Sequence, residues 1–242
     1  MRPSSDLRGA LTRLGLAEHG ELLAPFATIE LSLVPDDDGL ARIGGSPDLP
    51  PEYRWPAHDD KPLPFLMQID LAALDVPDKR LPDRGVLAFF AAVTSDVPDP
   101  LFAKRVAAHV AYFPDAGVLR LRAHPPTSDE PPANRVKLRV ERSIHWRIPF
   151  EDMARVEAAL PGEGFTSLVR DMRRTVHALF PAPSNECIGP MPPFGEVALL
   201  RLCDDPLADF HVGDASWLTY SISELDLRAR RFDGARASVF IG

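Results

Sequence analysis

The chain has 242 residues, 45% of them hydrophobic, with 35 acidic and 27 basic side chains and a net charge of −8. That length and apolar content suit one large globular domain rather than a disordered chain. The acidic balance excludes a general nucleic-acid binder, which needs clustered excess base.

The first predicted element is a helix capped by Ser4 or Ser5 and running to about Glu18, with Leu7, Ala10, Leu11 and Leu14 as its apolar stripe and Gly20 as its stop. Thr28–Val34 alternates apolar and polar residues and reads as a half-buried strand, followed by a turn at Pro35–Gly39. The loop 43–64 holds six prolines, at 47, 50, 51, 56, 62 and 64. Its length predicts that packing orders it, with Tyr53 and Trp55 as pins or as the aromatic lip of a groove. Strands are predicted at about 64–71, 86–93, 107–113, 118–123 and 136–148, and a loop at Pro125–Pro132. Helical periods cover Phe150–Leu160 and Phe165–Phe180. Strands return at 196–203, 216–222 and 236–241, and Ser223 with Asp226 resembles a capping box.

The sequence carries an internal echo. Phe65–Asp70 (FLMQID) aligns with Ala198–Cys203 (ALLRLC), and Gly85–Phe90 (GVLAFF) with Ser216–Ser221 (SWLTYS). Ile43-Gly44 and Ile188-Gly189 precede the two units. The expected fold is therefore one α+β domain over 1–242, mostly antiparallel sheets with an internal duplication. Its halves span about 27–148 and 188–242, joined by a helical connection at about 149–182.

No run reaches the ~18 apolar residues of a membrane helix, and Asp6 interrupts any signal-peptide core at the N-terminus. Cys187 and Cys203 make no disulfide framework, so a reducing cytoplasm is expected, with no membrane partner.

Several tracts together resemble a known family. IGGSPDLPPEYRWP (43–56), KPLPFLMQIDL (61–71), LPDRGVLAFF (81–90) and HVAYFPDAGVLRLRAHPP (109–126) carry the resemblance, as do the stretch His177–Phe180 and the closing segment from Val212-Gly213-Asp214 to Phe232. On these the chain is identified as a member of the YwqG-like family, bacterial proteins of unknown function. The resemblance implies an α+β fold of antiparallel sheets with internal duplication, and no catalytic residue. Val212 departs from it, standing where the family has Trp, and so does the strand Arg201-Leu202-Cys203.

Candidate chemistry is sparse. Gly44-Gly45-Ser46 lacks the lysine and helix of a phosphate loop, and no G-x-S-x-G elbow is present. Asp36–Asp38 lacks the alternation of a calcium loop. The seven histidines form no H-E-x-x-H pair, so no metal or cofactor is expected. The binding candidates are Tyr53, Trp55, Gln68, Asp70, Arg201, His211 and Asp214. Gln68 and Asp70 share a strand face opposite Phe65, Met67 and Ile69. Across a pseudo-twofold axis they and Arg201 would line one groove. The expected function is a non-enzymatic binding module, sharpest as an immunity or inhibitor-type protein for a basic partner. The alternative is an enzyme with an acid/base site of Asp70, His211 and Asp214 in the cleft between the halves. Nothing in the sequence sets the oligomeric state.

Overall fold

A computed structural model of the chain describes residues 4–74, 80–93, 104–125, 132–160, 162–172, 176–181, 195–212 and 217–240. Asp214, Cys187 and the Ile188-Gly189 pair lie outside them. Helix α1 (Ser5–Arg13) and the short α2 (Gly20–Leu23) lead into strands β1 (Ala27–Pro35) and β2 (Ala41–Ile43). The proline-rich loop holds only the two-residue strands β3 (Asp48–Leu49), β4 (Ala57–His58) and β5 (Lys61–Pro62). Then come β6 (Phe65–Asp70), β7 (Val86–Ala91), β8 (Lys104–Val106), β9 (Ala108–Phe113), β10 (Arg120–Leu121) and the long β11 (Val136–Trp146). Helices α3 (Phe150–Ala159) and α4 (Glu163–Met172) follow. The chain closes with β12 (His177–Leu179), β13 (Glu196–Cys203), β14 (Trp217–Ser223), α5 (Glu224–Arg228) and β15 (Arg236–Phe240). No helix among the described residues is long and apolar enough to cross a membrane.

Eleven of the strands form one sheet in the order β8-β15-β14-β13-β12-β1-β11-β2-β6-β7-β9, and all its pairings are antiparallel. Its two end strands, β8 and β9, are separated in the chain by Ala107 alone. The sheet therefore curls into a nearly closed barrel, which removes exposed edges. Inward-facing Leu33, Met67, Ile69, Leu87, Phe89, Leu138, Leu200, Leu202, Leu218, Tyr220 and Val239 fill it and are fully buried. Each such side chain contributes about 1.5–3 kcal/mol. Phe89 meets Tyr220 edge to face at 5.1 Å. A second cluster covers the far end of β11, where Ile144 and Trp146 receive Leu7 and Leu11 of α1 and Leu168 of α4. A third lies outside the barrel, where the proline-rich loop buries Phe65, Phe90 and Phe113 under Leu49 and Leu63.

The flanks of the central β1–β11 pair use matching registers. Arg42 on β2 faces Gln68 on β6, which faces Ala88 on β7. Ala178 on β12 faces Arg201 on β13, which faces Thr219 on β14. Both ladders skip a residue at corresponding places, between Phe65 and Met67 and between Ala198 and Leu200. The residue after each short strand, Gly44 or Phe180, has positive φ, +71° and +46°. Their N–H groups reach the carbonyls of Leu66 and Leu199 at 2.8 and 3.0 Å. Positive φ is natural for glycine and uncommon for phenylalanine, so the fold imposes it at Phe180.

Four local expectations change. α1 stops at Arg13 because Gly15 turns left-handed at φ +70°, and Gly20 begins α2 rather than ending a helix. The helical period of 165–180 holds only to Met172; His177–Leu179 instead fills the sheet between β1 and β13. Phe150, on the predicted apolar stripe, is 94% exposed at the start of α3. The β6 register shift turns Phe65 to the outer face, the same side as Gln68, so the alternation breaks there.

Candidate functional site

β2 is too short to carry a core of its own, yet it positions the polar centre of the first flank. Ala41 and Ile43 face inward, which sends Arg42 outward. Gln68 faces it from β6. Both oxygen and nitrogen of the Gln68 amide bind the backbone of Asp48, accepting from its N–H at 3.0 Å and donating to its carbonyl at 2.7 Å. Gln68 thus holds the proline-rich loop as a neighbouring strand would. The Arg42 guanidinium donates to Gln68 Oε1, Asp48 Oδ2 and, at 3.2 Å, the Ser46 carbonyl. Arg42 is 8% exposed, and its Nε–H has no partner. Burial pulls its pKa down; Asp48 opposes this, and the nearby charge of Arg135 adds to it. A guanidinium stays protonated even so.

This floor opens on a cavity of about 480 Å³. Arg135 and Lys137 flank it from the β11 side, and Asp38 and Asp70 also border it. Leu40, Val86 and Leu119 supply its apolar wall. Lys137 donates to the Asp37 carbonyl at 2.7 Å, and Asp70 accepts from the Ala72 N–H at 2.9 Å. The arrangement offers fixed donors, both signs of charge and apolar surface in one concavity, the usual make-up of a ligand site.

The second flank has a different polar centre. Arg201 places Nη2 3.3 Å from both carboxylate oxygens of Glu30, and its Nε donates to the Val176 carbonyl at 3.2 Å. Both partners of this ion pair are buried. His145 lies in the same charged surroundings, buried, with no partner on Nε2. Burial lowers its pKa, Glu30 opposes this and Arg201 adds to it. His177 accepts from the Cys203 N–H on Nδ1, which leaves the proton on Nε2 for Asp205, 3.1 Å away. That hydrogen bond is the main cause of the lowered Asp205 pKa. Burial pushes the Cys203 thiol up to about 11, so it stays protonated at neutral pH and is no nucleophile.

The sequence-derived candidates therefore separate. Gln68 and Asp70 border the same cavity. Arg201 lies five strand-to-strand steps away, about 24 Å along the curved sheet at ~4.8 Å per step. Tyr53 and Trp55 pin the loop. The Tyr53 hydroxyl sits 3.0 Å from His109 Nε2, with its ring against Phe113, and burial raises its pKa to about 12. The Trp55 indole donates to the Leu63 carbonyl at 2.8 Å and its ring meets Phe90 and His124. His211 is exposed beside Asp204 and Asp209 and borders a second cavity of about 570 Å³, lined by Pro64, Leu66 and Phe210 among others. Sequence reasoning missed Arg42, Asp48, Arg135 and Lys137. The available signal was a charged residue between the inward Ala41 and Ile43.

A family model described as a domain of unknown function, DUF1963, matches residues 41–239. No curated protein matches the chain.

Proposed function

The chain belongs to the DUF1963 family, and from that premise we propose that it is a non-enzymatic binding module whose ligand occupies the cavity between the 38–42 turn, β6 and the start of β11. The observation that carries this reading is the Arg42–Gln68–Asp48 network beneath the cavity. It fixes the donors before any ligand arrives, and preorganisation of that kind raises affinity by reducing ordering on binding. The reading extends to a YwqG-like bacterial protein acting in the cytoplasm. It extends also to an internal duplication, supported by the matching registers, paired bulges and paired positive-φ residues of the two flanks.

A capture experiment tests it. The immobilised chain is exposed to the small-molecule and peptide fraction of its source cells, and retained compounds are read by mass spectrometry. Leu40, 58% exposed at the cavity wall, is replaced by Trp to fill the space without disturbing the core. Compounds kept by the native chain should be lost from Leu40→Trp. If the two retain the same set, the cavity is not the binding site. The net charge of −8 favours a second reading, an immunity or inhibitor-type protein steered to a basic partner. Its test is association that weakens steeply as salt rises.

A further inference from the structure

We infer that the cavity takes an anionic group, carboxylate or phosphoryl, seated against Arg135 and Lys137 above Arg42; this deepens the binding-module reading and rests on it. Lys137 on β11 is directly opposite Arg42 on β2, which is directly opposite Gln68 on β6. Like charges placed opposite one another across antiparallel strands repel. Arg135 adds a third cation two residues from Lys137, on the same side of the cavity. Among the described residues, one carboxylate pairs with any of these three: Asp48, with Arg42.

The second flank supplies an internal comparison. Ser32 faces Ala178 there as Lys137 faces Arg42 here. Counting back two residues along β1 and β11 puts Glu30 in the position of Arg135. By the same registers Arg201 stands where Gln68 stands. In the second flank the positions carry Glu30 and Arg201, and the charge is neutralised within the chain at 3.3 Å. In the first flank the corresponding positions carry Arg135 and the neutral Gln68, Lys137 and Arg42 stand where Ser32 and Ala178 do, and a cavity stands open over them. An oxyanion entering it meets Lys137 of β11, Arg135 just before that strand, and the positive charge of a guanidinium already fixed by Asp48, Ser46 and Gln68. Such charge-assisted contacts are the strong ones. Asp70 lies two residues from Gln68 along β6, about 7 Å away. It suits a hydroxyl or amino group on the same ligand.

The test uses the full chain and three probes: succinate, inorganic phosphate and the neutral succinamide. Binding is followed by amide chemical shifts in nuclear magnetic resonance. Succinate or phosphate should give saturable shifts at Arg42, Gln68 and Lys137, and succinamide should not. Response to succinate alone assigns a carboxylate, to phosphate alone a phosphoryl group, and to both a general oxyanion. The double variant Arg135→Gln, Lys137→Gln should lose about tenfold or more in affinity while keeping the native spectrum elsewhere. Raising salt should weaken the native interaction. Equal binding of succinamide and succinate overturns the anion assignment and leaves the cavity a binding site. Absence of saturable shifts with both anions, or an unchanged affinity in the double variant, also overturns it. The binding-module reading fails separately, in the Leu40→Trp capture experiment.

Discussion

Replacing Arg201 with Met should be among the most damaging outward-face substitutions in this protein. Arg201 is 6% exposed and Glu30 4%, and the guanidinium stands 3.3 Å from both carboxylate oxygens. At that distance and an effective dielectric of about 20, the gross attraction is roughly 5 kcal/mol. Desolvation offsets much of it, but removing one partner leaves a buried carboxylate without its main cation, which costs about 3–5 kcal/mol. For a chain of this size each kcal/mol moves Tm by about 2–4 °C, so Tm should fall by roughly 6–20 °C. Urea unfolding followed by circular dichroism measures the same loss as a shift in midpoint at unchanged slope. The double replacement Glu30→Leu, Arg201→Met should recover to within about 2 kcal/mol of the native chain, because neither buried charge remains. The first-flank pair Arg135→Gln, Lys137→Gln should stay within about 0.5 kcal/mol, both residues being exposed. A cost below about 1 kcal/mol for Arg201→Met would refute the assignment of Arg201 to stability. An equal cost for the first-flank pair would refute the division of labour between the flanks.

Gln68→Ala removes two hydrogen bonds to the Asp48 backbone and one from Arg42. About 3 kcal/mol should be lost, together with probe binding at the cavity; an unchanged urea midpoint would contradict the role given to Gln68. Burial holds the pKa of His109, His124 and His145 below the ordinary 6.5. As pH falls below about 6.5 the unfolded chain takes up protons that the folded chain refuses. Stability should therefore be full above about pH 7 and decline towards pH 5.5, with a slope from buried His145 of up to ~1.4 kcal/mol per pH unit. The two half-buried histidines add smaller, solvent-screened shares. Tm measured at pH 7.5, 6.5 and 5.5 checks this, and His145→Gln should flatten the profile; a flat native profile counts against it. Gly44→Ala should cost at least about 2 kcal/mol, since φ is +71° and a Cβ would strike the Asn134 carbonyl. Gly9→Ala, in α1 with open space around it, should instead gain about 0.5–1 kcal/mol, and thermal melts of both variants decide the matter.

The longer strands of the barrel were legible because alternation is local, whereas the three-residue β2, β8 and β12 were not. Val136, Leu138 and Val140 against Lys137, Arg139 and Glu141 announces β11 without any knowledge of its neighbours. The spacing that aligns Gln68 with Arg201 and Leu87 with Leu218 is local too; in the sheet Gln68 faces Ala88 and Arg201 faces Thr219. What stayed hidden depends on partners distant in sequence. β12 is three residues long and follows a true helical period, so nothing local marks it as the strand between β1 and β13. The register shift that turns Phe65 outward exists only in the pairing of β6 with β7. The cavity joins residues from Asp38 to Lys137, and each looks alone like an ordinary solvated side chain. Gln68 and Arg201 stood out as polar groups in apolar strands, and both are buried. Their sites on opposite sides of the β1–β11 pair could not be read without the sheet order.

A sheet of period two lets its two faces carry different residues independently. Its inward residues correspond closely in kind: Met67 and Leu200, Ile69 and Leu202, Leu87 and Leu218, Phe89 and Tyr220. A change among them disturbs a common core, so their character is constrained by packing. The outward positions differ in charge: Glu30 stands where Arg135 does, and Arg201 where Gln68 does. The corresponding position of Glu30 thus suggests a direct transplant, Arg135→Glu. The new carboxylate would face Lys137 and Arg42 and supply from within the chain the anion that the cavity is proposed to bind. Repulsion in the row would become attraction, so Tm should hold or rise slightly; an exposed pair is worth at most about 1 kcal/mol. Affinity for succinate or phosphate should fall further than with Arg135→Gln, because the carboxylate both removes a cation and repels the incoming anion. Arg135→Gln and Arg135→Glu differ little in size, so lost packing cannot account for a difference between them. If the two variants bind the probes equally, charge is not what the cavity reads. If Arg135→Glu unfolds the chain, the two flanks are not equivalent in the way their registers suggest.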